Sequence, residues 1–153
     1  MPWTPGQVRT SAAGGTAPGG VATGTGAAAT DPFAGWSDEA FSAGESVLDG
    51  LDQIESKVQV GVNFNDYSEM VADTVTQMQR LRRLVDPQDR QSGIFPILAE
   101  AIVAHQAAAA AWLKDINGEM SSESADIARQ SAWALATPRV ERARAAFGQR
   151  LRD

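Results

Sequence analysis

The stretch Phe64-Asn65-Asp66-Tyr67-Ser68-Glu69-Met70-Val71-Ala72-Asp73-Thr74-Val75-Thr76-Gln77-Met78-Gln79-Arg80-Leu81-Arg82-Arg83-Leu84-Val85 decides the fold. Phe64, Tyr67, Val71, Thr74, Met78, Leu81 and Val85 recur within it at spacings of 3, 4, 3, 4, 3 and 4. That rhythm is one face of an α-helix, and charged and amide side chains fill the opposite face. A helix with a single apolar stripe must bury it against other elements, so the neighbouring sequence has to supply partners.

Upstream, Gly61-Val62-Asn63-Phe64-Asn65-Asp66 reads as a turn, with Asn63 or Asn65 as the cap and Asp66 in the first turn of the helix. Before it, Ser37 is a good N-cap, and Asp38 and Glu39 follow where the helix dipole favours negative charge. The helix they open runs to about Val58, with the stripe Ala40, Gly44, Val47, Leu51, Ile54 and Val58. Its outer face carries Asp38, Ser42, Glu45, Asp49, Asp52 and Ser56, which reads as a solvated acidic face because the spacing of a calcium loop is missing.

Downstream, Asp86-Pro87 through Ser92-Gly93 breaks the pattern, since proline and glycine both end helices. A third helix opens near Phe95 or Pro96 and closes at Asn117-Gly118. It carries Leu98, Ile102, His105, Ala109, Trp112 and Ile116 on one stripe and Ile97, Ala101, Ala104, Ala108 and Ala111 on the next. The alanine stripe admits a partner helix at close range. A fourth helix starts after Ser121 or Ser122, with Ala125, Ala128, Ala132 and Leu135 on one face. Thr137-Pro138 predicts a kink, or a break and restart capped by Thr137. Val140, Ala143, Phe147 and Leu151 continue the apolar pattern, and Arg139, Arg142, Arg144, Arg150 and Arg152 make the end basic, which complements the helix dipole.

The four segments, joined by short links and without strand alternation, predict an all-α protein, an antiparallel four-helix bundle with a kinked or broken last helix. The domain is expected over residues 33–153. Residues 1–32 read as a disordered leader: the first thirty contain seven Gly, seven Ala, six Thr and three Pro, with Arg9 as the one charged side chain. Such a segment buries too little surface to offset its ordering entropy. Its glycine pairs do not make a phosphate loop, because no lysine follows them before Lys57 and no apolar strand precedes them.

Composition removes whole classes of chemistry. The chain of 153 residues has no cysteine, so it has no disulfide, thiolate metal site or cysteine nucleophile. With one histidine, no site of two or three imidazoles forms within it, and no metal or cofactor is expected. A net charge of −6 disfavours nucleic acid as a partner. No secretory signal is visible, and no stretch reads as the ~20 apolar residues of a membrane span. Taken literally the chain is cytoplasmic, and it is extracytoplasmic if Met1 is an internal residue of a membrane-anchored protein. The oligomeric state is left open.

Gly61-Val62-Asn63-Phe64-Asn65-Asp66-Tyr67-Ser68 resembles a Gly–aliphatic–Asn/Ser–aromatic–x–acid–Tyr motif found in a scattered group of uncharacterised small bacterial helical domains. His105 through Trp112 and Ala132-Trp133 through Ala136 are similar to downstream pieces of that group, so the likeness covers roughly residues 45–150. In the group the domain often follows a membrane helix and a flexible linker. The resemblance implies an extracytoplasmic interaction or sensing module, and it brings no known activity with it.

The candidate binding residues are Asn63, Asn65, Asp66, Tyr67, His105, Trp112 and Trp133. Asn63, Asn65 and Asp66 have folding roles at a cap and could also present polar groups to a ligand. His105 lies on an apolar stripe, where a structural histidine is expected and a pH-responsive one is the alternative. Trp112 and Trp133 fall on neighbouring helices, either as core or as walls of a ligand slot. No Gly-x-Ser-x-Gly elbow or second histidine supports catalysis, and no catalytic residue is assigned. The expected function is a non-enzymatic bundle that binds a protein partner, tethered by the leader. The alternative is a bundle with a small-molecule slot near Trp112, Trp133 and His105. The first calls for an apolar surface patch, the second for a cavity between helices.

Overall fold

The computed structural model describes residues 31–153. The leader expected over residues 1–32 lies outside the described residues, apart from Asp31 and Pro32. A compact unit spans Pro32–Asp153. It contains four α-helices, α1 (Asp38–Val60), α2 (Phe64–Leu84), α3 (Ile94–Ile116) and α4 (Ser122–Arg152), with a short 3-10 turn at Pro87–Gln91 between α2 and α3. No strand occurs among the described residues.

The helix starts follow local chemistry. Ser37 Oγ accepts from the Ala40 N–H at 3.0 Å and opens α1. Asn63 Oδ1 accepts from the Asp66 N–H at 2.8 Å and opens α2. Ser121 Oγ accepts from the Ser124 N–H at 3.1 Å and opens α4. Helix α3 has no side-chain cap. Its first N–H, on Ile94, donates instead to the Pro32 carbonyl at 3.0 Å, tying the segment before α1 to the third helix. Gly93 stands at φ +73°, and a Cβ there would meet the Pro32 carbonyl oxygen at 2.5 Å, so this seam requires glycine.

α1 packs on α2, and pairing continues along the chain as α2 on α3 and α3 on α4, with α1 also touching α3 and α4. Their stripes meet in two buried clusters. The larger joins Val47, Leu51, Leu81, Leu98 and Val140 and extends to Phe33, Trp36 and Phe147. Phe33 stands with its centroid 4.8 Å from Phe147 and 5.2 Å from Trp36. The smaller cluster holds Ile54, Tyr67, Val71, Ala108 and Ala132, with Trp112 and Trp133 packed against it.

Helix α4 departs from the sequence reading at three points. It runs unbroken through Pro138, so the restart capped by Thr137 does not form. Proline removes the N–H that would bond the Ala134 carbonyl; the carbonyls on either side each gain a side-chain donor, Trp133 from the Thr137 hydroxyl at 3.1 Å and Leu135 from Arg139 Nη1 at 2.8 Å. Its buried stripe is Ala125, Ala132, Ala136, Val140, Ala143 and Phe147. Leu135, expected on the inner face, is 56% exposed, because the buried stripe steps by four through Ala132, Ala136 and Val140 and leaves position 135 beside it. Leu151 is exposed as well, in the last turn of the helix.

By length and composition alone, α3 would suffice to cross a membrane: it has 23 residues and an 18-residue window of mean hydropathy 1.5. Half of that window is buried inside the fold. The alanines at 107–111 raise its hydropathy without large apolar side chains.

Candidate functional site

Tyr67 projects from the first turns of α2 into the interior and is fully buried. Its hydroxyl meets three groups. Trp133 Nε1–H on α4 donates to it at 3.0 Å. His105 Nδ1 on α3 lies at 2.8 Å, and the His105 carbonyl oxygen lies at 3.2 Å. A phenol gives one proton and accepts two. All three contacts are satisfied together when Trp133 Nε1–H and His105 Nδ1–H donate to the oxygen and the phenol proton goes to the carbonyl. Assigned from this network, His105 is the Nδ1–H tautomer and its Nε2 carries a lone pair.

That Nε2 is buried and has no hydrogen-bond partner. Burial holds the imidazole down at a pKa of about 4, because the charged form is poorly solvated there. Burial likewise pushes the Tyr67 hydroxyl up to about 12, against a smaller opposing effect of the Trp133 hydrogen bond. At neutral pH both groups are uncharged.

His105 and Trp133 line a small cavity of about 60 Å³ together with Glu55, Val58, Gln59 and Thr137. Glu55 Oε2 is also buried without a partner. Desolvation raises its pKa, and the Thr137 hydroxyl and Arg144 work in the other direction. No direct ion pair joins Glu55 to His105 among the described residues.

Trp112 occupies the flank of the network. Its ring lies 5.7 Å from Tyr67 and 5.7 Å from Phe64, centroid to centroid. The Arg129 guanidinium covers its outer side at 4.7 Å and reaches Asp126 at 3.1 Å and Asp115 at 4.0 Å.

Of the residues singled out from sequence, Tyr67, His105, Trp112 and Trp133 thus converge in space. Asn63, Asn65 and Asp66 do not join them. Asn63 caps α2, and its Nδ2 also donates to Asp66 Oδ2 at 3.1 Å, on an exposed helix end. Asn65 is exposed. The sequence reading missed Glu55, Thr137 and Arg129. Glu55 sits one position after the buried Ile54, at the border of the α1 stripe, and that border position was the available signal.

A second concavity lies between α3 and α4. Ala99, Glu100, Val103, Ala104, Ala107, Ala132, Leu135 and Arg139 line a groove of about 370 Å³. Val103 is 61% exposed, and it and Leu135 form the groove's largest apolar surfaces. Arg139 Nε donates to Glu100 Oε1 at 2.8 Å, placing one ion pair in an otherwise apolar lining.

Among the described residues, no three of the His, Asp and Glu side chains gather as a metal-ligand set. Comparison with known proteins gives no matching family model, no matching curated protein and no matching solved structure.

Proposed function

We propose that this protein is a non-enzymatic helical-bundle module whose α3/α4 groove docks an amphipathic helix of a protein partner. The observation that carries the reading is the apolar groove itself. On α3, Ala99, Val103 and Ala107 are spaced four apart and form one ridge, and Ala132 and Leu135 on α4 form the other. Two parallel ridges with small side chains between them accept a third helix at ordinary helix-packing distance. The Glu100–Arg139 pair offers one charge of each sign to orient that helix.

The same reading takes the four helices as an antiparallel bundle, supported by the short links at 61–63 and 117–121, with α4 bent at Pro138. Residues 1–32 act in it as the tether. The likeness of Gly61–Ser68 to small bacterial helical domains supports an interaction or sensing role of this kind.

Selection of displayed helical peptides on the native domain tests the proposal. Enriched peptides should share apolar residues at i, i+3, i+4 and i+7, shift the NMR signals of Val103 and Leu135, and fail to bind Leu135→Glu. Peptides that bind Leu135→Glu equally well, or map elsewhere, would overturn it. Sedimentation of the free domain distinguishes a second copy of the chain in the groove, which would also defeat the assignment to a foreign helix.

A further inference from the structure

The cavity beside His105 is distinct from the groove and has a chemical character of its own. Its buried polar atoms are acceptors. His105 Nε2 carries a lone pair in the tautomer that satisfies Tyr67, and His105 is only 2% exposed. Glu55 presents the partnerless Oε2. The one proton of the Thr137 hydroxyl is drawn to the Trp133 carbonyl and to the Glu55 carboxylate, so none is left for a ligand. Trp133 has committed its N–H to Tyr67, so what it adds to the wall is ring. No Lys or Arg lines the cavity. Asp52 and Glu141 add negative potential at Glu55, and the one nearby cation, Arg144, is engaged with Asp52.

Val58 adds apolar surface and the exposed Gln59 an amide that can donate or accept, so it is the buried acceptors beside the Trp133 ring that call for a positively charged donor. A volume of about 60 Å³ exceeds the room for one water and falls well short of a drug-sized ligand, which takes about 300–1,000 Å³. We propose that this cavity is a binding site for an ammonium head group, held by N–H donation to Glu55 Oε2 and His105 Nε2 with the charge against the Trp133 ring. The head group is either free ammonium or the end of a primary amine. This proposal does not rest on the groove reading.

NMR at pH 7 on ¹⁵N-labelled protein, where the imidazole is neutral, tests it with ammonium chloride, methylammonium chloride, tetramethylammonium chloride and sodium chloride as titrants. Ligands of one or two heavy atoms bind weakly, so each is taken to roughly 0.1 M. Ammonium or methylammonium should shift the His105 Nε2 and Trp133 indole signals saturably, and sodium and tetramethylammonium, which have no N–H, should not. Saturation by ammonium alone assigns the free ion, and tighter saturation by methylammonium assigns an amine head group. Glu55→Gln, a substitution at the cavity rim, should weaken the response at least tenfold while the fold is retained, as checked by its melting curve. Thr137→Val serves as a second variant if Glu55→Gln does not fold, and should also weaken binding. Equal shifts from all four salts, no saturable shift in the wild type, or an undiminished response in a folded variant would each overturn the proposal and leave solvent as the occupant.

Discussion

Trp133 donates its indole N–H to the hydroxyl of Tyr67 at 3.0 Å, joining the middle of α4 to the start of α2. The same oxygen also holds His105, so one buried atom ties three helices. Removing it leaves the Trp133 and His105 N–H groups without an acceptor inside the protein. Tyr67→Phe should therefore cost about 1–3 kcal/mol despite its close match in shape. Tyr67→Ala, which also opens a cavity, should cost about 3–5 kcal/mol. Urea denaturation of the two variants measures both, and equal stability of wild type and Tyr67→Phe would remove the network from the account of folding.

The turn before α2 sorts its polar residues by role. Asn63 holds the cap, so Asn63→Ala should lose about 0.5–2 kcal/mol. Asn65 is exposed, and Asn65→Ala should fall within about ±0.5 kcal/mol of wild type. Thermal unfolding of the pair would contradict this assignment if Asn65→Ala proved the more damaging.

Acid should weaken the fold through His105. Its folded pKa of about 4 lies below the unfolded value of 6.5, so the unfolded chain takes up the proton first. The stability is present above pH 6.5 and is lost as pH falls toward 4, by about 3 kcal/mol in total. Glu55 opposes this trend, because a raised folded pKa gives stability that is lost as pH rises. The difference between wild-type and His105→Gln stability curves isolates the histidine, and that difference should shrink between pH 6.5 and 4. A constant difference across the range would refute the buried neutral imidazole.

Two helical glycines should respond to alanine with opposite signs. A Cβ on Gly44 would meet Phe147 Cζ and Trp36 Cζ3, both at 2.8 Å, and both rings belong to the buried core. Gly44→Ala should lose about 1–3 kcal/mol by overpacking. At Gly148 the nearest atom is the flexible end of Arg152 at 3.6 Å, so alanine should gain up to about 1 kcal/mol of helix propensity. Paired melting curves check the signs.

Much of the helical framework was legible because caps and stripes are local signals. Ser37, Asn63 and the 3-4 rhythm of Tyr67, Val71, Thr74, Met78 and Leu81 place α1 and α2 to within a few residues. What escaped depends on distant partners. Pro138 reads as a break until the buried stripe is seen to run past it, from Ala132 and Ala136 to Val140 and Ala143. Leu135 reads as core until the buried stripe is seen to step from Ala132 to Ala136 and Val140, which leaves it outside. At the site, aromatic type and helical register picked out Tyr67, Trp112 and Trp133. Nothing in the sequence around Glu55 says that α4 will bring Thr137 and Trp133 against it.

The contact between Phe33 and Phe147 puts the start and finish of the folded unit side by side. The chain thus comes in and goes out at the same corner. A short bridge between those ends, with a new opening cut at the link near Gly118, should give a circular permutant with the same core. For the same reason the unit could be spliced into a surface loop of another protein without prising its host apart.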